Sequence, residues 1–307
     1  MPILGTIASS FDNTVAARGL ILGGYTPLTN TIDYIQIATT GNATDFGDLT
    51  QTAGGSAGTS SDTRGVVSIG NGAGSSTDAI EYVTVATTGN ATAFGSLTTN
   101  RNDCGAVGNQ TRAVFGSGKN SSSIVQNVID YITIASTGNA TDFGDLTNSR
   151  DRAGGCGSTT RGLFAGGSDA VSVGYDIIDY ITIASTGNAT DFGDLSAALA
   201  GITAVSSNTR AVFMPGAYRK TIEYVTIATT GNVTNFGNLI GETKGYGANM
   251  SSKIRGVIGG GYGLTTGGGI NEIEYVTIAS TGNAIDFGDL TLARYQPAGL
   301  SNAHGGL

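Results

Sequence analysis

The 307-residue chain has no tryptophan, one histidine, two cysteines and four prolines, and only 12% of its residues are charged. A lone histidine, His304, leaves no means of assembling a histidine-based triad or a multi-histidine metal centre. Two cysteines, Cys104 and Cys156, are too few for a disulfide framework and read as lone small thiols in packed strands. Fifteen Lys and Arg against 23 Asp and Glu leave a net charge of −8, and the cations form no stripe, which excludes nucleic acid as the expected partner. No run approaches the roughly 18 apolar residues of a membrane span, so membrane insertion is not expected. The start, Met1-Pro2-Ile3-Leu4-Gly5-Thr6, offers neither a basic stretch nor an apolar core, so no secretory signal is expected. No window shows helical spacing of apolar residues.

What the chain has in abundance is glycine, 50 residues of it, set among 39% hydrophobic residues. One phrase recurs, spelled out most fully as Ile129-Asp130-Tyr131-Ile132-Thr133-Ile134-Ala135-Ser136-Thr137-Gly138-Asn139-Ala140-Thr141-Asp142-Phe143-Gly144-Asp145-Leu146. Its central Gly falls at Gly41, Gly89, Gly138, Gly187, Gly231 and Gly282, in steps of 48, 49, 49, 44 and 51 residues. A period in this range marks a repeat architecture. Positions shared by all copies build the repeat, and positions that vary are free to carry function.

Each unit divides into short strand-like segments. Arg161 to Gly167 is an apolar run closed by a Gly pair, and Ile177 to Ala184 is rich in β-formers. Thr186-Gly187-Asn188 is expected to make a tight turn, because Gly and Asn tolerate positive φ. Thr190 to Leu195 supplies the partner strand, and Ala153-Gly154-Gly155-Cys156-Gly157 is small enough to converge on an axis. The expected fold is all-β: a six-bladed β-propeller of four-stranded antiparallel blades spanning 18–307. Residues 1–17 form a lead segment, an extra strand or an anchor. Pro297 to Asn302 reads as an innermost strand that closes the ring on the N-terminal blade, in preference to Gly5 to Ser10, and so removes an open edge.

The pattern resembles the kelch repeat. The carriers are Gly23-Gly24, Asp33-Tyr34 and Phe46-Gly47-Asp48-Leu49, echoed at Gly166-Gly167, Asp179-Tyr180 and Phe192-Gly193-Asp194-Leu195. Phe stands where kelch repeats usually have Trp, and the Gly pair is imperfect at Ile69-Gly70-Asn71-Gly72, Gly116-Ser117-Gly118 and Pro215-Gly216-Ala217. The Thr-Gly-Asn-Ala-Thr-Asp-Phe-Gly-Asp-Leu version is similar to repeats in structural proteins of cyanobacterial and other aquatic phages. That likeness implies a virion protein.

Two sets of charges keep the period: Arg18, Arg64, Arg112, Arg161, Arg210 and Arg255, and the carboxylates Asp33, Glu81, Asp130, Asp179, Glu223 and Glu274. They are expected to pair with one another as scaffold, since an Arg fork suits a carboxylate. The doublet Asp45/Asp48 is replaced by Ala93/Ser96 and Asn235/Asn238 in other copies, which argues against calcium. Asn42, Asn90, Asn139, Asn188 and Asn232 head Asn-x-Thr sequons and are expected to be turn residues. No cofactor and no metal are expected.

The segments that differ between copies are the loops joining strands two to three and four to one, which this topology places on one face. They nominate Tyr25, Arg101, Asp103, Lys119, Arg150, Arg152, Tyr175, Tyr218, Arg219, Lys220, Lys244, Tyr262, Arg294 and Tyr295 as partner-binding residues. The expected activity is non-enzymatic: a phage tail-fibre or receptor-binding propeller located in the virion, assembled in the host cytoplasm. Its expected partners are a host-surface glycan or protein and other virion proteins, with self-association in a fibre. An intracellular kelch-type interaction scaffold and a capsid decoration protein are the alternatives.

Overall fold

The computed structural model describes residues 16–216, 219–241 and 244–307, without the side chain of Lys244. All but the last two residues of the lead segment, and the competing strand at 5–10, lie outside the described residues. The described chain forms six antiparallel blades, and no described helix is long and apolar enough to cross a membrane. Blade three is typical, running outward from the axis as Gly105–Gly108, Arg112–Gly116, Gln126–Thr133 and Thr141–Arg150. Blade one takes its innermost strand, Ala298–Ser301, from the far end of the chain, with Gly19 opposite Ser301 and Leu22 opposite Ala298. The ring closes as expected. Apolar side chains from the second, third and fourth strands fill the spaces between blades, as Leu163, Ile178 and Phe192 do with Phe213 and Val225 of the next blade.

The repeated phrase ties each blade to its neighbour. The chain reversal comes earlier than expected: Ser136 N–H donates to Thr133 O, before the Thr-Gly-Asn. The Thr-Gly-Asn itself is nearly straight and docks on the preceding blade, where Gly138 N–H donates to Phe94 O and Ala140 N–H to Ser96 O. Asn139 Oδ1 accepts the N–H of Ser96, and Asn42, Asn90, Asn188, Asn232 and Asn283 accept the corresponding N–H in their own neighbours. The Gly after each Phe leaves room for this contact: a Cβ on Gly144 would lie 2.6 Å from Gly187 C and O.

The periodic charges do not pair with each other. Arg161 lies 4.3 Å over the Tyr180 ring, which meets Phe192 edge-on, and Arg161 Nη1 donates to Ile227 O of the next blade at 2.7 Å. Arg18, Arg64, Arg112, Arg210 and Arg255 stack likewise on Tyr34, Tyr82, Tyr131, Tyr224 and Tyr275. Arg255 reaches Ile37 O and so repeats the link across the closure. An Arg with the edge of its own sheet beneath it gains a cation–π contact without leaving water, which pairing with a buried carboxylate would require.

The carboxylates turn inward. Asp179 accepts the N–H and the hydroxyl of Thr147 in the preceding blade, and Asp33, Asp130 and Glu81 do the same for Thr291, Thr98 and Thr50. Glu223 takes the N–H of Ser196, and Glu274 those of Ile240 and Gly241.

At the axis, the second residue of each inner strand is Gly58, Ala106, Gly155, Ala204, Asn249 or Gly299. A Cβ on Gly155 would meet Ala106 O at 2.3 Å, so size is limited by the opposing backbone. Asn249 fills the waist, donating to Ala204 O at 3.1 Å and Gly155 O at 3.4 Å. It separates a cavity of about 80 Å³ from one of about 30 Å³. The second cavity is covered by the segment after the last inner strand. There His304 Nε2 donates to Ser60 O at 2.7 Å, and Nδ1 accepts the Gly306 N–H at 3.0 Å.

Candidate functional site

The face opposite the Thr-Gly-Asn segments is organised by a ring at the mouth of the larger cavity. Gly55, Asp103, Arg152, Gly201, Tyr246 and Gln296, one from each blade junction, have φ of 61, 57, 58, 72, 63 and 53°. Each N–H donates to the carbonyl of its counterpart one blade back, from Asp103 to Gly55 at 2.8 Å round to Gly55 to Gln296 at 3.1 Å. The backbone therefore closes a circle of hydrogen bonds that needs left-handed residues but not particular side chains. Gly meets that need without strain, whereas each side-chain-bearing residue costs about 1–2 kcal/mol.

Gly55 and Gly201 lie three steps apart, and neighbouring side chains lean over both. Gln296 Nε2 donates to Asp103 Oδ1 at 2.9 Å above Gly55, where a Cβ would sit 2.6 Å from Asp103 Oδ1. The Arg152 guanidinium lies 5.9 Å from the Tyr246 ring centre, and a Cβ on Gly201 would sit 2.2 Å from that ring. Beside the ring, Lys119 Nζ bridges Asp103 at 3.1 Å and Asp151 at 2.9 Å. Arg152 Nε is 3.6 Å from a carboxylate oxygen of each and makes no hydrogen bond. Ser168 completes the group with a 2.6 Å hydrogen bond to Asp151. Burial pushes the Asp103 carboxyl upward despite Lys119 and Arg152. For Lys119 and Arg152, burial works against the charge, but the two carboxylates outweigh it and hold both cations above their ordinary values.

An aromatic sector flanks the charged one. Tyr295 sits 5.4 Å from Tyr25 and 5.5 Å from Tyr262, ring centre to ring centre. Asn71 donates to the Tyr25 hydroxyl and accepts from Asn102 at 2.7 Å, joining this sector to the charged group. Burial raises Tyr25 to about 12, so it stays a neutral phenol.

Of the nominated residues, Tyr25, Asp103, Lys119, Arg152, Tyr262 and Tyr295 thus come together on one face. Three do not belong to a binding surface. Arg101, Arg150 and Arg294 are wholly buried and pair with Asp130, Asp179 and Asp33 at 3.0, 3.0 and 2.9 Å. These are the arginines that pair with the periodic carboxylates. Tyr175 is a half-buried strand residue opposite Leu199. Arg219 and Lys220 are exposed, and Lys220 Nζ reaches Ile240 O at 3.4 Å. Lys244 lies in a short strand opposite Gly263, and Tyr218 lies outside the described residues. The ring adds Tyr246 and Gln296, and Asp151 and Asn249 complete its surroundings. The signal for them was present, since all six ring positions stand two residues before an inner strand. Unequal loop lengths hid that register. Neither a known protein-family model nor a curated protein matches the chain.

Proposed function

We propose that the chain is a non-enzymatic binding propeller that meets its partner through the loop face, set in a phage virion as part of a tail fibre that recognises a host surface. The observation that carries this reading is the division of labour between faces. On one side, the Thr-Gly-Asn segments are occupied blade to blade by the same hydrogen bonds. On the other, four of the six junctions carry four different side chains, those of Asp103, Arg152, Tyr246 and Gln296, around one ring. The lone His304 has both ring nitrogens engaged with backbone, which supports a non-enzymatic role. The virion setting draws on the likeness of the repeat to phage structural proteins, where many copies convert weak contacts into avidity. Its partners there are a host-surface glycan or protein and neighbouring virion proteins.

The test is a glycan array together with a binding assay on a panel of aquatic bacterial cells. Binding that survives changes to the Thr-Gly-Asn face and fails with changes to the loop face is expected. Silence on both the array and the cells overturns the reading. A second reading, a protein–protein interaction scaffold, is favoured by the loop tips of blades three and four, where Ile124, Val171 and Val173 are 58, 78 and 59% exposed. Under it, replacing Val171 and Val173 by Ser abolishes partner binding.

A further inference from the structure

Resting on that loop-face reading, we propose that the cavity inside the ring binds a neutral sugar, the terminal hexose of a glycan. The first ground is retained strain. Blades two and five show that Gly55 and Gly201 suffice for the hydrogen-bonded circle. Asp103, Arg152, Tyr246 and Gln296 nonetheless keep side chains at left-handed φ, all at the rim of one cavity. Strain persisting at a clustered set of polar residues points to function.

The second ground is the chemistry at the rim. Asp103 and Arg152 line the cavity and balance each other in charge, as Lys119 and Asp151 do beside the ring, so nothing selects an ion. Asp103 and Arg152 are still charge-strength hydrogen-bond partners for a hydroxyl. The guanidinium and carboxylate forks both suit adjacent hydroxyls, which a hexose offers in series. Gln296 commits its Nε2 to Asp103, and no described residue bonds its Oε1. Tyr246 brings an aromatic face, and Ala57, Ala106 and Ala204 line the depth. A sugar has the same double character, with hydroxyls at its edge and C–H groups on its face.

The third ground is size. About 80 Å³ is roughly half of the roughly 150 Å³ of a cavity that takes up benzene. The space therefore admits one edge of a single hexose through the ring, with the rest of the sugar at the mouth, and has no room for a disaccharide.

The experiment titrates the full chain with the methyl glycosides of glucose, galactose and mannose, and with methyl glucuronide, by calorimetry and ligand-observed NMR. At least one neutral glycoside is expected to bind saturably. Arg152→Gly is expected to weaken it at least about tenfold, and Gln296→Gly at least about threefold, the latter without lowering the thermal midpoint because Gly relieves the left-handed backbone. Gln296→Gly leaves no charge uncompensated, so it keeps the test valid if Arg152→Gly fails to fold. Binding of the glucuronide alone, binding that survives Gln296→Gly, or no binding by any neutral glycoside overturns the proposal. If the chain adheres to cells and no hexoside binds or competes, the sugar site falls and the loop-face reading stands. If hexosides bind at the ring and no cell or glycan is recognised, the sugar site stands and the receptor reading falls.

Discussion

Arg150 Nη2 lies 3.0 Å from Asp179 Oδ2, across the boundary between blades three and four, and neither side chain reaches solvent. The same bond joins Arg101 to Asp130 and Arg294 to Asp33. Where the position of the Arg is taken by Ala53 or Leu199, the carboxylate in the next blade is instead a glutamate, Glu81 or Glu223, and no described ion pair involves either. Asp with Arg, or Glu with an apolar residue, are two solutions to one problem. The outer strand of each blade must be held by a carboxylate of the next, and the shorter acid leaves room that a buried guanidinium fills.

Arg150→Leu therefore leaves Asp179 buried without its cation and is expected to cost about 3–5 kcal/mol. Adding Asp179→Glu copies the Leu199/Glu223 arrangement and is expected to recover at least half of that loss. Urea midpoints of the single and double variants decide it. A double variant no more stable than Arg150→Leu would show that the pairs are not interchangeable.

Arg161→Ala removes a cation–π contact and one hydrogen bond to Ile227 O at a half-exposed position. The expected loss is about 1–2 kcal/mol, clearly smaller than for Arg150. The two variants compared by chemical denaturation test which arginine is the buried partner; the reverse order of losses contradicts the assignment.

This reversal of roles marks the limit of what was legible in the sequence. Strand order, blade number and ring closure follow from a period that six copies repeat. Partner choice does not, because Arg161 and Arg150 both lie within reach of the carboxylates in a linear pattern. Only burial separates them: Arg150 sits behind the strand end with no exposed surface, while Arg161 lies at the sheet's edge over Tyr180. The ring was hidden for a different reason. Left-handed backbone is recognisable where it is Gly, as at Gly55 and Gly201, and unreadable where Asp103, Arg152, Tyr246 and Gln296 adopt it.

Two glycines of one phrase separate a close approach from an open position. Gly144 has φ +143°, and a Cβ there would lie 2.6 Å from the Gly187 carbonyl, so Gly144→Ala forces the blades apart at a cost of about 1–3 kcal/mol. Gly138 has no atom within 4 Å of its would-be Cβ, and Gly138→Ala is expected to stay within about 0.5 kcal/mol. Thermal midpoints of the two proteins check the contrast; equal losses would mean that the docking contact is not what restricts Gly144.

Stability should also report on His304, whose burial lowers it to about 4 from an ordinary 6.5. Between those values the unfolded chain binds a proton that the folded chain refuses, so this group's contribution falls as pH drops from about 6.5 to 4 and levels off below. The slope cannot exceed about 1.4 kcal/mol per pH unit for one group. Carboxylates such as Asp103 add their own acid dependence, so the measure is the difference between the native protein and His304→Asn across this range. A difference that does not change with pH would place the proton elsewhere.

Loss of residues 298–307 tests the closure itself. Removing Ala298–Ser301 strips Leu20 and Leu22 of their partners Leu300 and Ala298, exposes the Arg18–Leu22 edge, and uncovers the smaller cavity beneath His304. An apolar strand edge of that kind pairs readily with another chain. The truncated protein is expected to lose its single cooperative transition and to elute as oligomers, and adding a peptide of sequence 297–307 in excess is expected to restore a monomer. Ring closure is then a binding equilibrium, and the linkage relation gives about 2.7 kcal/mol of stabilisation at a peptide concentration 100 times its dissociation constant. A truncated chain that stays monomeric with an unshifted midpoint would mean that the other five blades hold the disc without this strand.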